Sequence, residues 1–303
     1  MSIKSFKGLA IEGGGVAGLA FIGNYRRYIN AVGYCGLTHF AGTSAGSILA
    51  GLLAVRASDD QINTIMKSMD FNKLKDNSWF PVDVFNLFRK FGWYNGEYLL
   101  NWYRDIMKSI TGVADITLLD LWNRYGTVLI ITKTDVMKPF SRLVVMDYQS
   151  HPTTTVAMAV RQSCSIPEVF KAVPGVGAEA NHWFVDGGVM LNYPIRLLYK
   201  YLNPDQCFGF YLTSTEDAAG NDDTSECTPV TSQLEFIESI AETWRSLAMK
   251  QHINSDDWKR TCKTEINISA TKFNLSNVEK DDLIRRGEVG MENFIEKMNN
   301  PDT

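Results

Sequence analysis

Short apolar runs alternate along most of this chain with segments that place apolar residues every third or fourth position. The runs predict strands over 8–12, 39–42, 127–132, 143–147, 183–186 and 207–213, with a last one at 265–268. The longer periodic segments predict helices over 18–32, 44–56, 59–69, 96–111, 118–125, 156–163, 193–202, 233–250 and 278–298. Strands alternating with helices in this way point to an α/β fold, a mostly parallel sheet covered by helices. No internal repeat and no convincing linker divides the chain, so residues 1–303 read as one domain whose main motifs fall within 8–194 and which 233–298 completes.

Two stretches break the alternation. Between Asp76 and Tyr94 the aromatic residues Trp79, Phe80, Phe85, Phe88, Phe91, Trp93 and Tyr94 crowd together. That segment reads either as a cover for the core or as a lid facing substrate or membrane, because aromatic rings favour the water–lipid boundary. Residues 214–232 are polar and acidic and read as a surface loop. The Met and aromatic residues at 137–140 and 146–148 read as core.

Composition narrows the classes. A net charge of −4 with no basic tract argues against nucleic acid as a partner, but it does not exclude a lipid surface, where a local patch matters more. Five cysteines without paired spacing suit a reduced, cytoplasmic setting. Nothing in the cysteine and histidine spacing suggests a metal, and no cofactor is implied. The N-terminus shows no secretory signal, and the longest clean apolar stretch, 48–55, falls far short of the ~20 residues needed to span a bilayer.

The candidate chemistry lies at two strand-to-helix turns. Gly13, Gly14, Gly15 and Gly18 form a loop after the first predicted strand. Gly42-Thr43-Ser44-Ala45-Gly46 follows the second, in the Gly-x-Ser-x-Gly arrangement that lifts a serine hydroxyl out of a tight turn. A nucleophile beside a set of backbone N–H donors is the minimum equipment for acyl transfer. The loop also satisfies a dinucleotide-binding fingerprint, but that motif wants an acidic residue about twenty positions on. No Asp or Glu occurs between Gly13 and Ala57.

A third element, Asp186-Gly187-Gly188, follows the apolar run Trp183-Phe184-Val185. Here the chain resembles the patatin-like phospholipase family, which joins a Gly-Gly-Gly-x-x-Gly loop and a Gly-x-Ser-x-Gly serine to a downstream Asp-Gly-Gly or Asp-Gly-Ala. The stretch Ala159 to Phe170 resembles the segment that precedes the family's aspartate, and Asn192-Tyr193-Pro194 matches its Asn-x-Pro. Each motif alone is common, and a lone Asp-Gly-Gly is most often a plain turn. Their order and spacing from Gly8 to Pro194 carry the resemblance. It departs at Ala17, where the family usually has Arg or Lys; backbone donors do not depend on that side chain.

The resemblance implies a three-layer α/β/α architecture and a Ser44–Asp186 dyad, with Gly13, Gly14 and Gly15 as the oxyanion loop. It implies phospholipid or another glycerolipid as substrate and peripheral contact with a membrane, and leaves an activating partner or ligand open. Glu12 is expected to fix the loop rather than take part in the chemistry. The residues themselves also permit a Ser44–Asp186–His252 triad, which has the chain order of an α/β-hydrolase. The catalytic reading competes with an idle acyl- or lipid-binding module and with acyl transfer to another alcohol.

Overall fold

The computed structural model describes residues 3–33, 36–74, 92–214, 253–270 and 272–300. Its strands are β1 (Gly8–Ile11), β2 (His39–Gly42), β3 (Gly92–Tyr94), β4 (Val128–Val136), β5 (Arg142–Met146), β6 (Glu168–Phe170), β7 (Val173–Pro174), β8 (Trp183–Asp186), β9 (Cys207–Ser214) and β10 (Thr261–Ile266). The helices are α1 (Ala20–Val32), α2 (Ala45–Ala54), α3 (Asp59–Ser68), α4 (Glu97–Thr111), α5 (Leu118–Tyr125), α6 (Val156–Ser163), α7 (Ser255–Lys259) and α8 (Asn277–Asn299).

The main sheet runs β10-β9-β1-β2-β4-β8-β7, with β5 also paired to β4. The five strands from β10 to β4 are mutually parallel, whereas β5 and β8 run antiparallel to β4 and β7 antiparallel to β8. Alternate side chains feed two cores, as the pleat requires. Leu9, Ile11, Phe40, Leu129, Ile131, Phe208 and Phe210 face one, together with buried positions of α1, α2, α4, α6 and α8. Ala10, Ala41, Val128, Ile130 and Cys207 face the other, under Tyr193, Ile195 and Leu198. Burial on both faces explains why β1 reads as a continuous apolar run. The result is the three-layer α/β/α architecture.

Most elements lie where the pattern puts them, and the differences have physical causes. The helix expected over 18–32 begins as a 3-10 turn, Gly15–Leu19, before α1 takes over, because the glycine loop has no α-helical preference to extend backward. The helix expected over 193–202 is a 3-10 segment, Ile195–Lys200, whose buried Ile195 and Leu198 are three apart, the repeat of that geometry. β4 runs past residue 132 to Val136 through Thr132, Lys133, Thr134 and Asp135, all polar and all buried. The last strand lies at Thr261–Ile266 rather than 265–268.

Of the Met and aromatic residues read as core, Met146 is fully buried, but Phe140 is 81% exposed. It sits in the turn between β4 and β5. From the aromatic segment only residues 92–94 are described; they pair as β3 with β6. Its remainder, the polar stretch after Ser214 and the helix expected over 233–250 lie outside the described residues. No helix among the described residues is long and apolar enough to cross a membrane.

Candidate active site

Ser44 stands between β2 and α2 with φ 50° and ψ −126°, a left-handed conformation that side-chain-bearing residues seldom adopt. Both flanking glycines are needed there. A Cβ on Gly42 would lie 2.5 Å from the Gly46 carbonyl oxygen, and one on Gly46 would lie 2.4 Å from the carbonyl oxygens of both Ile11 and Glu12. The Ser44 N–H donates to Ser163 Oγ at the end of α6, 2.9 Å away. The Ser44 carbonyl accepts from the N–H and the hydroxyl of Ser47. The turn is thus held by sterics on one side and by hydrogen bonds on the other.

The glycine loop lies against this turn. A Cβ on Gly13 would approach Ser44 Cβ to 3.1 Å, and one on Gly18 would approach Ala45 Cβ to 2.9 Å. Gly15 has φ +52°, and the Ala270 carbonyl oxygen occupies the space of its missing side chain; the same oxygen accepts from Val16 N–H at 2.9 Å. The Gly13 N–H donates to the Asn192 carbonyl at 3.1 Å, while those of Gly14 and Gly15 meet no backbone acceptor among the described residues. Of the three expected donors, Gly13 is therefore already engaged by the Asn192 carbonyl. Glu12 ties the loop down: one carboxylate oxygen accepts from Asn192 Nδ2 at 2.9 Å and the other from Leu212 N–H at 2.7 Å.

Asp186 closes β8 and is 5% exposed. Its N–H donates to the Ser165 carbonyl, its carbonyl accepts from Thr134 Oγ1, and its Oδ1 accepts from Gly188 N–H at 2.7 Å. A Cβ on Gly187 would lie 2.2 Å from Thr132 Oγ1, so the backbone turns tightly over β4 at this point. The buried thiol of Cys164 connects the two candidate groups. Burial pushes its pKa up to about 12, the Asp186 charge adds to that, and hydrogen bonds from Ser47 and Ser44 oppose it. A Cβ on Gly13 would lie 2.4 Å from Asn192 Oδ1 as well as 3.1 Å from Ser44 Cβ, and one on Gly188 would lie 2.7 Å from the same Oδ1 and 3.0 Å from Asp186 Oδ1, so Ser44 and Asp186 both flank the Asn192 side chain.

Ser44 and Gly15 open onto an apolar pocket walled by Ile48, Met69, Phe71, Leu99, Phe170 and Phe273. The described histidines are engaged away from it: His39 with Thr38, His151 with Ser150 and His182 with Asp135. His252, the third member of the alternative triad, lies outside the described residues. Sequence reasoning assigned no role to Ser163, Cys164 or Asn192. The signals were the resemblance of the stretch Ala159 to Phe170, which contains Ser163 and Cys164, and of Asn192-Tyr193-Pro194 to family segments, without a role for any one side chain.

The fold and these turns define an α/β protein of the nucleophile-elbow class. The model of the patatin-like phospholipase family matches residues 9–199, and the chain belongs to that family, which places it among lipid hydrolases. It is 29% identical to Uncharacterized protein R571 of Acanthamoeba polyphaga mimivirus, covering 99% of this chain and 97% of that one. It is 23% identical to Probable lipid hydrolase 463L of Invertebrate iridescent virus 6, covering 66% of each. Its fold is similar to that of VipD from Legionella pneumophila, with a TM-score of 0.62 at 17% identity, covering 97% of this chain and 67% of that one.

Proposed function

We propose that this chain is a carboxylic ester hydrolase of the phospholipase A or lipid acyl hydrolase type, acting on phospholipid or another glycerolipid through a Ser44–Asp186 dyad. The observation that carries this reading is that Ser44 and Asp186 both flank the Asn192 side chain, with Ser44 lining an apolar pocket. Ser44 and Gly15 line an apolar wall suited to an acyl chain, and the Gly14 and Gly15 N–H groups meet no backbone acceptor among the described residues.

The reaction follows from those positions. The acyl chain enters the pocket and brings its ester carbonyl over Ser44. Asp186 accepts the Ser44 hydroxyl proton as Oγ bonds to the carbonyl carbon. The oxyanion forms against the N–H groups of Gly14 and Gly15 and the positive N-terminal end of α2. As the intermediate collapses, the ester C–O bond breaks and the alcohol leaves with the proton from Asp186. Water then gives a proton to the same carboxylate as it attacks the acyl-serine; the Oγ–acyl bond breaks, Ser44 Oγ takes that proton back from Asp186, and the fatty acid is released. Aspartate is a weak base with a reference pKa of ~3.9, so most of the rate must come from the oxyanion loop and from burial of the reacting groups.

The test is fatty-acid release from mixed phospholipid vesicles by the wild-type protein beside Ser44→Ala and Asp186→Asn. Both variants should lose at least about a thousandfold in rate, and a fluorophosphonate should label the wild type at Ser44. Hydrolysis that persists in Ser44→Ala would sink the dyad.

A further inference from the structure

Among the described residues, three of the exposed large apolar side chains gather at one place: Val136 (46%), Phe140 (81%) and Val176 (82%). The register shows how. Val136 in β4 pairs with Trp183 in β8, and Trp183 pairs with Pro174 in β7, so the ends of β4 and β7 are level. Phe140 lies in the turn from β4 to β5, just beyond the Asp135–Arg142 pair, and Val176 lies two residues beyond Pro174 in the turn from β7 to β8. Two adjacent turn tips therefore present apolar side chains side by side.

The tips project from the catalytic edge of the sheet. β4 is parallel to β2, and Ile131 is level with Gly42, two residues before Ser44. Asp186 pairs with Lys133, three residues before Val136, or roughly 10 Å along the strand. The charge around the tips is basic. Residues 136–142 contain exposed Lys138 and Arg142 and no exposed acid; Asp135, 3.8 Å from Arg142, is buried. The nearby Glu179 lies 3.7 Å from buried Lys133, which offsets its charge. With Asp135 set against Arg142 and Glu179 against Lys133, the exposed Lys138 is left uncompensated, so this edge carries a small positive excess in a chain of net charge −4.

Apolar tips with a basic rim suit an anionic bilayer, where the tips reach the headgroup–acyl boundary and the rim binds the headgroups. A protein partner is a poorer fit, because a specific interface needs about 800 Å² from each side and these are two small convex turns. We propose that the β4–β5 and β7–β8 turns form a bilayer-docking edge. Phe140 and Val176 enter the lipid, Lys138 and Arg142 hold anionic headgroups, and Ser44 is brought over the surface. The link to catalysis rests on the lipid hydrolase reading above; the docking itself does not.

Binding is therefore read in Ser44→Ala protein, by flotation with phosphatidylcholine vesicles with and without phosphatidylglycerol. Adding Phe140→Asp and Val176→Asp should lower partition on the order of tenfold or more. Lys138→Glu should lower it about fivefold on the anionic vesicles only. Val278→Asp with Val289→Asp, which alters exposed apolar residues on α8, should leave partition unchanged. Thermal melting checks that each variant folds, and the milder Phe140→Ser with Val176→Ser should shift partition in the same direction. The proposal is overturned if the parent ignores both vesicle types, if the tip variants bind as the parent does, or if the α8 pair loses as much. None of these results depends on whether Ser44 and Asp186 catalyse anything, so failure of docking and failure of the dyad are separate outcomes.

Discussion

The two halves of the candidate site are held in place by different physics. Around Ser44 the constraint is steric: backbone carbonyls fill the space where side chains on Gly42 and Gly46 would sit, and the chain has almost no alternative path. Around Asp186 the backbone is also close-packed, a Cβ on Gly187 lying 2.2 Å from Thr132 Oγ1, but the restraints on the residue itself are polar. Buried Thr134, the Ser165 carbonyl and Gly188 N–H each hold one part of the residue, over a strand whose last residues are polar and buried. A steric constraint fails abruptly when violated, because packed backbone cannot yield cheaply. A hydrogen-bonded one weakens by increments, each net bond contributing about 1 kcal/mol.

The comparison would break most visibly at Gly46. Gly46→Ala puts a Cβ against two carbonyl oxygens and should cost about 3 kcal/mol or more, read as a melting temperature lowered by about 6 °C or more together with loss of activity. A near-normal melting curve for this variant would show that the elbow can relax. Ser163→Ala sharpens the picture, since it removes the one hydrogen bond that holds the Ser44 N–H. Leaving that group buried without an acceptor should cost about 1–3 kcal/mol, with kcat falling more than tenfold and KM little changed. An equal change in KM would mean that Ser163 shapes substrate binding rather than the nucleophile. The smallest effect belongs to the aspartate side: Thr134→Val keeps the side-chain shape, deletes one bond to the Asp186 carbonyl and should cost about 1 kcal/mol with less than a tenfold loss in kcat. A collapse on the scale of Gly46→Ala would overturn the distinction between the two halves.

The same distinction governs what could be read from the sequence. Steric constraints select glycine, so Gly13, Gly14, Gly15, Gly18, Gly42, Gly46, Gly187 and Gly188 stand out in a one-dimensional pattern, and Ser44 and Asp186 with them. The apolar strands β1 and β2 are equally plain because both their faces are buried. The polar end of β4 is not, since Thr132 to Asp135 look like surface until their partners on β8 are known. Ser163 and Asn192 fell in stretches that the resemblance picked out, but their roles were illegible for the same reason, their partners lying 119 and 180 residues away in sequence. Phe140 failed in the opposite sense: its apolarity suggested core, and only the length of β4 carries it into the open.

The contact between Gly15 and Ala270 has a consequence for the order of events on the ribosome. Every motif from the glycine loop to Asp186 has been synthesised well before the chain reaches residue 270, yet the carbonyl that pins Val16 and backs Gly15 comes only then. β9, which borders β1, and β10, which pairs with β9, are also late arrivals. A nascent chain thus carries Ser44 and Asp186 for much of its synthesis before Ala270 can back the glycine loop. The fold defers assembly of the candidate site until most of the polypeptide has emerged.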